Sequence, residues 1–132
     1  MDPSSRHQAR ERAVTLLYEA ELKGCPPTEV VDDLAMAPDP YTAALIGTVE
    51  TRAAEIDRLI ADAAIGWELD RMAVVDRNVL RLAVAELLGS PDVPTPVILN
   101  EAVELASAYS TDDSGRFVNG VLATVAQQVR DQ

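Results

Sequence analysis

The sequence predicts an all-α fold of about seven helices. Three observations carry that reading. Apolar residues make up 48 % of the chain but aromatics only 4 %, so the core is left to Ala, Val, Leu and Ile, side chains that suit closely packed helices. Apolar positions recur with helical period in nearly every segment, and no segment shows sustained strand alternation. Proline and glycine fall between these stretches, leaving loops short enough to join antiparallel neighbours. At 132 residues, a single domain with one core is expected.

The elements follow in order. From about Ser5 to Lys23, residues Ala9, Ala13, Leu16, Leu17 and Ala20 share one face. Ser4 or Ser5 can cap this helix, and Gly24 followed by Pro26 and Pro27 ends it. A short helix is expected over Thr28–Ala37, stopped by Pro38 and Pro40. The periodic stretch from Tyr41 to Ile65 is long and carries Thr48 and Thr51 near its middle, which suggests two helices joined by a bend near residues 51–54. Trp67 to Arg71 reads as a connection in which Trp67 packs a hinge. Met72–Leu88 forms the next helix, with Gly89, Ser90 and Pro91 as its stop. Thr95 is read as the cap of the following helix and Pro96 as its first residue. There Ile98, Ala102, Leu105 and Tyr109 stack on one face, opposite Asn100, Glu101, Glu104 and Ser107. The last helix starts near Ser114 and buries Val118, Val121, Leu122 and Val125. Gly120 interrupts it at a cost of about 1 kcal/mol relative to Ala, which is read as room for a neighbouring helix.

Charge narrows the function classes. The formal net charge is −11, which argues against a general nucleic-acid binder. The distribution is uneven. Residues 1–25 are neutral, residues 26–70 carry −8 and residues 71–132 carry −3. Among the first twelve residues Arg6, Arg10 and Arg12 outnumber Asp2 and Glu11. An acidic body with a mildly basic start fits a basic protein partner and a small local nucleic-acid contact; the plainer alternative is acidity for solubility. Cys25 is alone, so a disulfide within the chain is excluded and a reducing compartment is expected. No apolar run is long enough for a bilayer, and no signal-peptide pattern opens the sequence, so the expected location is the cytoplasm.

Catalytic chemistry finds little support. His7 is the only histidine and sits near the chain start, with nothing in the sequence to orient it as a triad base. One histidine and one cysteine do not make a structural zinc site. Lys23 is the only lysine, and no glycine-rich loop precedes it as a phosphate cradle would require. Asp112 and Asp113 fit a helix N-terminus, where carboxylates cap and meet the positive end of the dipole. Cys25 has Glu21 as well as Lys23 nearby and reads as inert. Tyr18 and Tyr41 are expected to pack their rings with hydroxyls in solvent. The expectation is a non-enzyme without cofactor or metal.

Several residues invite a binding role. Arg6 and Arg10 are four apart and project from one side of the first helix, whereas Arg12 points about 200° away from Arg10. Two such arginines can clamp phosphates or stack on bases, or can form an ordinary solvated edge. Phe117, next to Arg116, lies at the flank of the last apolar stripe, where it either plugs the bundle or offers a ring face to a base. Asp70 and Asp76 read as caps or surface charges.

Five runs together carry a resemblance. They are Arg6–Val14, Val75–Ala83, Asp92–Pro96, Ile98–Ala106 and Asp112–Leu122. In this order, and over nearly the whole chain, they resemble the NusB family of bacterial transcription antitermination factors. The resemblance implies two stacked helical bundles, roughly residues 1–52 and 53–132, with the first three helices in one. It implies an RNA-binding adaptor that pairs with NusE, a basic protein also found in the small ribosomal subunit. The pair would recognise single-stranded boxA RNA in ribosomal RNA leaders and connect to RNA polymerase indirectly. RNA contacts would come from Arg6, His7, Gln8 and Arg10, and from Asp113, Arg116 and Phe117. His7 and Gln8 stand where relatives often carry basic residues. Asp70 and Asp76 would face NusE. Two alternatives stay open: the helical accessory domain of an RNA methyltransferase, disfavoured by the lack of a cofactor-binding α/β pattern here, and a homodimeric helical protein without an RNA role.

Overall fold

The structure is a computed structural model and describes residues 3–130. It consists of α1 (Pro3–Lys23), α2 (Pro27–Asp32), α3 (Pro40–Thr51), α4 (Ala53–Ala63), a 3-10 turn (Leu69–Arg71), α5 (Val74–Gly89), α6 (Thr95–Tyr109) and α7 (Asp112–Val129). The described residues contain no strand.

Local chemistry sets most boundaries where the sequence places them, with informative exceptions. Helix α1 already runs from Pro3, so Ser5 lies in its first turn and not at its cap; the Ser4 side chain is outside the described residues. Gly24 and Gly66 take φ of +69° and +87° just after α1 and α4, conformations that L side chains avoid. Helix α2 stops at Asp32, short of the expected Ala37, because Ala35, Met36 and Ala37 are exposed and offer it no face to bury. The bend in the 41–65 stretch falls at Arg52, with φ −114° and ψ 26°. Pro94 stands at the cap of α6 without a side-chain bond, and Thr95 enters the first turn instead of capping it. Helix α7 starts at Asp112, capped by Thr111, whose Oγ1 accepts from the Ser114 N–H at 3.0 Å. Asp112 and Asp113 therefore fill the first turn, where the helix dipole favours them, and Thr111 holds the cap that was assigned to them.

Helix α5 is the axis of the packing. It contacts α1, α3, α4, α6 and α7. Its residues Val79, Leu80, Leu82, Ala83, Val84, Ala85 and Leu87 are all buried, as expected of a helix covered nearly all round. Helices α1, α2 and α3 contact one another on one side of it, and α6 pairs with α7 on the other. The close approach between α6 and α7 is at Gly115, where a Cβ would overlap Ser107 Oγ and lie 3.3 Å from Val103 Cγ1. Gly120, to which close approach was assigned, is exposed, and a Cβ there would meet nothing within 4 Å. Tyr109 also departs from its expected place on the buried face. It is 50 % exposed, and its hydroxyl donates to Glu11 Oε2 at 2.5 Å.

Three polar clusters tie the helices together. Arg130, just after α7, donates to the backbone oxygens of Leu87, Ser90 and Val93 at 3.0, 2.7 and 2.5 Å, closing the exposed C-terminal end of α5. Its Nη1 also reaches Thr95 Oγ1 at 3.2 Å. Glu21 of α1 accepts from Arg77, Asn78 and Arg81 of α5, and Arg81 continues to Asp57 of α4 at 2.9 Å. The third cluster is centred on Arg10.

Candidate nucleic-acid interface

The first turns of α1 place the residues of the basic start at different depths. Gln8 is exposed, and Arg6 and His7 are partly so. The Arg6 guanidinium lies over the Tyr41 ring at 4.8 Å, within cation–π range, and 3.9 Å from Asp92. Its Nε is buried without a partner. His7 Nδ1 is 2.9 Å from Glu101 Oε1 on α6. That hydrogen bond raises the His7 pKa, against the opposing effect of burial.

Arg10 corrects the expectation of two arginines on one accessible edge. It is only 3 % exposed. Its Nε and Nη2 donate to both carboxylate oxygens of the buried Glu86, at 2.7–3.0 Å, and its Nη1 donates to Glu101 at 3.0 Å. The Tyr41 hydroxyl donates to Glu86 at 2.5 Å, so it too is turned inward and not to solvent as expected. Burial, together with this bond, pushes the Tyr41 pKa up. The physical reason is register: Arg10 shares a helix face with Val14 and Leu17, both buried. The signal missed in the sequence was Glu86, a carboxylate set among apolar residues in the last turns of α5, which requires a buried cation opposite it.

His7, Glu101 and Glu104 form the one group of possible metal-donor atoms among the described residues, all within 4.8 Å of one another. Arg10 already supplies a cation to Glu101 there, and the arrangement works as an ion-pair network between α1 and α6.

The second cluster lies between the 3-10 turn and the start of α7. Trp67 and Phe117 meet edge to face, with ring centroids 6.0 Å apart and planes at 64°. Phe117 is partly buried against the core, while Trp67 is 55 % exposed. Beside them opens a pocket of about 210 Å³ whose lining includes Trp67, Arg71, Met72, Asp76, Ser114 and Phe117. Asp113 and Arg116 are exposed and form an ion pair with each other. Asp70 is exposed, as expected of a surface acid. Asp76 is not. Only 9 % of it is accessible; Oδ2 accepts from Ser114 Oγ at 3.0 Å, and Oδ1 is buried without a partner. The third residue of α5 faces the start of α7, and this turns the expected surface charge inward. Trp67, read from the sequence as hinge packing in preference to a ligand platform, is partnered here by Phe117.

Such surfaces, a cationic helix start and an aromatic cleft flanked by a carboxylate and arginines, can meet both the phosphates and the bases of a single strand. Comparison with known proteins points the same way. The NusB family model matches residues 7–127. A transcription antitermination protein NusB of Thermobifida fusca is 47 % identical over 128 residues, covering 94 % of this chain and 90 % of its own length. That of Acidothermus cellulolyticus is 49 % identical over 125 residues, covering 92 % and 86 %. Among solved structures, a T. maritima NusB superposes with a TM-score of 0.85 at 34 % identity, over 93 % of this chain and 91 % of that one. A structure of antitermination factors NusB and NusE in complex with double-stranded RNA superposes with a TM-score of 0.82 at 30 % identity, over 96 % and 99 %.

Proposed function

The chain belongs to the NusB family, and from that premise we propose that it is a transcription antitermination adaptor that binds RNA and pairs with NusE. The observation that carries this reading is the likeness along nearly the whole chain to a NusB captured together with NusE and RNA. The role requires no catalysis and takes place in the cytoplasm, where nascent ribosomal RNA is made; no helix among the described residues is long and apolar enough to cross a membrane.

Mechanistically, the two partners divide the work. A chain of net charge −11 attracts a basic protein and repels a polyanion, so NusE supplies most of the cationic surface and the bridge to polymerase. This chain supplies local contacts. Arg6 offers a guanidinium preset over Tyr41, with His7 and Gln8 beside it. Asp113, Arg116 and Phe117 offer a hydrogen-bond acceptor, a cation and a ring to unstacked bases. Arg10 acts beneath that surface by fixing the angle of α1 through Glu86 and Glu101. Asp70, exposed in the turn before α5, faces NusE, and Asp76 contributes from below by shaping the neighbouring pocket.

The test is binding of a boxA-type single strand to the chain with NusE, against a scrambled strand of equal length at the same salt. The proposal expects tighter binding of the boxA strand; equal binding of both would remove sequence recognition from the role.

A further inference from the structure

A cavity of about 300 Å³ opens where the end of α1 and the turn into α2 meet α3, α4 and α5. No residue of α6, of α7 or of the basic chain start lines it, so it stands apart from the surfaces assigned to RNA. Its floor is apolar, built from the buried side chains of Leu17, Ala20, Val49 and Ile56. Its polar lining is unbalanced in charge, with the carboxylates of Glu21, Glu50 and Asp57 against the single guanidinium of Arg81. Two of the three carboxylates are compensated. Arg81 donates to Asp57 at 2.9 and 3.1 Å and to Glu21 at 3.3 Å, and Arg77 also pairs with Glu21. Glu50 is not compensated. It accepts from the Thr28 N–H at 2.9 Å and from the Thr28 hydroxyl at 2.8 Å, both neutral donors. Among the described residues no cation pairs with it. We propose that this cavity is a binding site for a small organic monocation, an ammonium or amidinium carried on an apolar body the size of a single aromatic ring.

Each part of that ligand answers to a part of the cavity. The apolar floor favours a ring or branched alkyl body, because burial releases the water that covers both surfaces. The surplus carboxylate selects the charge. The bond to the Thr28 amide holds the Glu50 carboxylate beside Pro27, which lines the same cavity. The surroundings reinforce it, because α2, α3 and α4 lie in the segment 26–70 that carries −8. A cation of either form is therefore drawn in, and an anion of the same shape is repelled. A neutral molecule of that shape gains the burial but leaves the charge of Glu50 unanswered. Size narrows the choice further. The volume sits at the small end of ligand pockets, about 300 Å³, which suits a one-ring amine and not a helix or strand of a partner.

Cys25 lines the cavity and is the only cysteine in the chain, so its rate of alkylation by iodoacetamide, an uncharged reagent, reports occupancy. The experiment titrates the full chain by calorimetry with phenethylammonium, phenethyl alcohol and hydrocinnamate at one salt concentration. Alkylation of Cys25 is followed in parallel. Phenethylammonium should bind about tenfold more tightly than the alcohol, the discrimination expected of a contact with a charged group. It should also slow alkylation in a saturable way over the same concentrations, and hydrocinnamate should bind most weakly. Glu50→Gln keeps an oxygen for Thr28 and should lower the affinity for phenethylammonium to that for the alcohol. Ala53→Phe fills the cavity from the exposed start of α4 and should abolish binding of both; it serves if the first variant fails to fold. Equal affinity for the ammonium and the alcohol in the parent chain overturns the proposal. So does binding that leaves Cys25 alkylation unchanged, which would place the amine elsewhere on an acidic surface. Saturating NusE that protects Cys25 and excludes phenethylammonium also overturns it, by assigning the cavity to a protein partner.

Discussion

Arg10 and Glu86 form a buried, bidentate ion pair that joins the first turns of α1 to the last turns of α5. Glu101 and the Tyr41 hydroxyl complete it from α6 and α3. Four helices therefore meet on one charge pair, directly under the surface that carries Arg6 and His7. A pair of this kind is a poor source of net stability, because desolvation offsets much of the attraction. Breaking it from one side is another matter.

Arg10→Ala is expected to cost about 3–5 kcal/mol of folding stability, because Glu86 is left buried without its counter-charge. Arg6→Ala, on a partly exposed residue, should cost less than about 1 kcal/mol, since a cation–π contact at such a site contributes little more. Their effects on RNA should run opposite to their effects on stability. Loss of Arg6 should lower the slope of log affinity against log salt by about one, while Arg10→Ala, measured where it is still folded, should leave that slope unchanged. Denaturant unfolding and salt-dependent titration check the two halves.

The two aspartates assigned to NusE should separate in the same way. Asp70→Lys reverses an exposed charge and should slow association with NusE at low salt without altering the melting temperature. Asp76→Lys forces a longer cation against Met72 and Ser114 and should destabilise the fold by several kcal/mol, in the range of about 3–5 for a buried unpaired charge. Stopped-flow association and thermal unfolding of both variants distinguish surface from interior.

Glycine 115 and glycine 120 should respond to alanine with opposite signs. Gly115→Ala drives a methyl group into Ser107 and Val103 and should destabilise by about 1–3 kcal/mol. Gly120→Ala meets open space in a helix interior and should stabilise by about 0.5–1 kcal/mol. Thermal or chemical unfolding of each reads the sign directly.

Acid should loosen the α1–α5 contact. The hydrogen bond from Arg77, with its charge and the contribution of Asn78, holds the Glu21 carboxyl below the usual carboxylate range. A carboxyl whose pKa is lower in the folded than in the unfolded state stabilises the fold above its unfolded pKa, near 4.3, and loses that stabilisation as pH falls through the folded value. Glu21→Gln should therefore be less stable than the parent at neutral pH, and the difference should shrink below pH of about 4. Parallel unfolding curves across pH check it.

The sequence made the helices legible because each carries its own stripe and stop. Gly24, Gly66 and the prolines ahead of α3 and α6 mark chain turns by backbone chemistry alone. Residue depth was less legible. Arg10, Tyr41 and Asp76 are residue types that ordinarily reach solvent, and each is drawn inward by a partner distant in the chain: Glu86 for the first two, Ser114 for the third. No local period reveals such a partner, although a glutamate set among the apolar residues that end α5 hints that one exists. The contact of Trp67 with Phe117 stayed hidden for the same reason, since the two are fifty residues apart. The surface candidates Gln8, Asp70, Asp113 and Arg116 stand where their character suggests, because nothing buried competes for them.

The central claim is that an acidic chain acts on RNA as half of a composite surface. The most direct measurement is the dissociation constant of a boxA-type single strand for this chain at fixed salt, first alone and then with saturating NusE. The account expects weak binding alone and at least severalfold tighter binding with NusE, because the chain's own cationic contribution at the start of α1 is reduced to Arg6, His7 and the exposed Arg12 once Arg10 is buried. Equal affinity in the two titrations would contradict it.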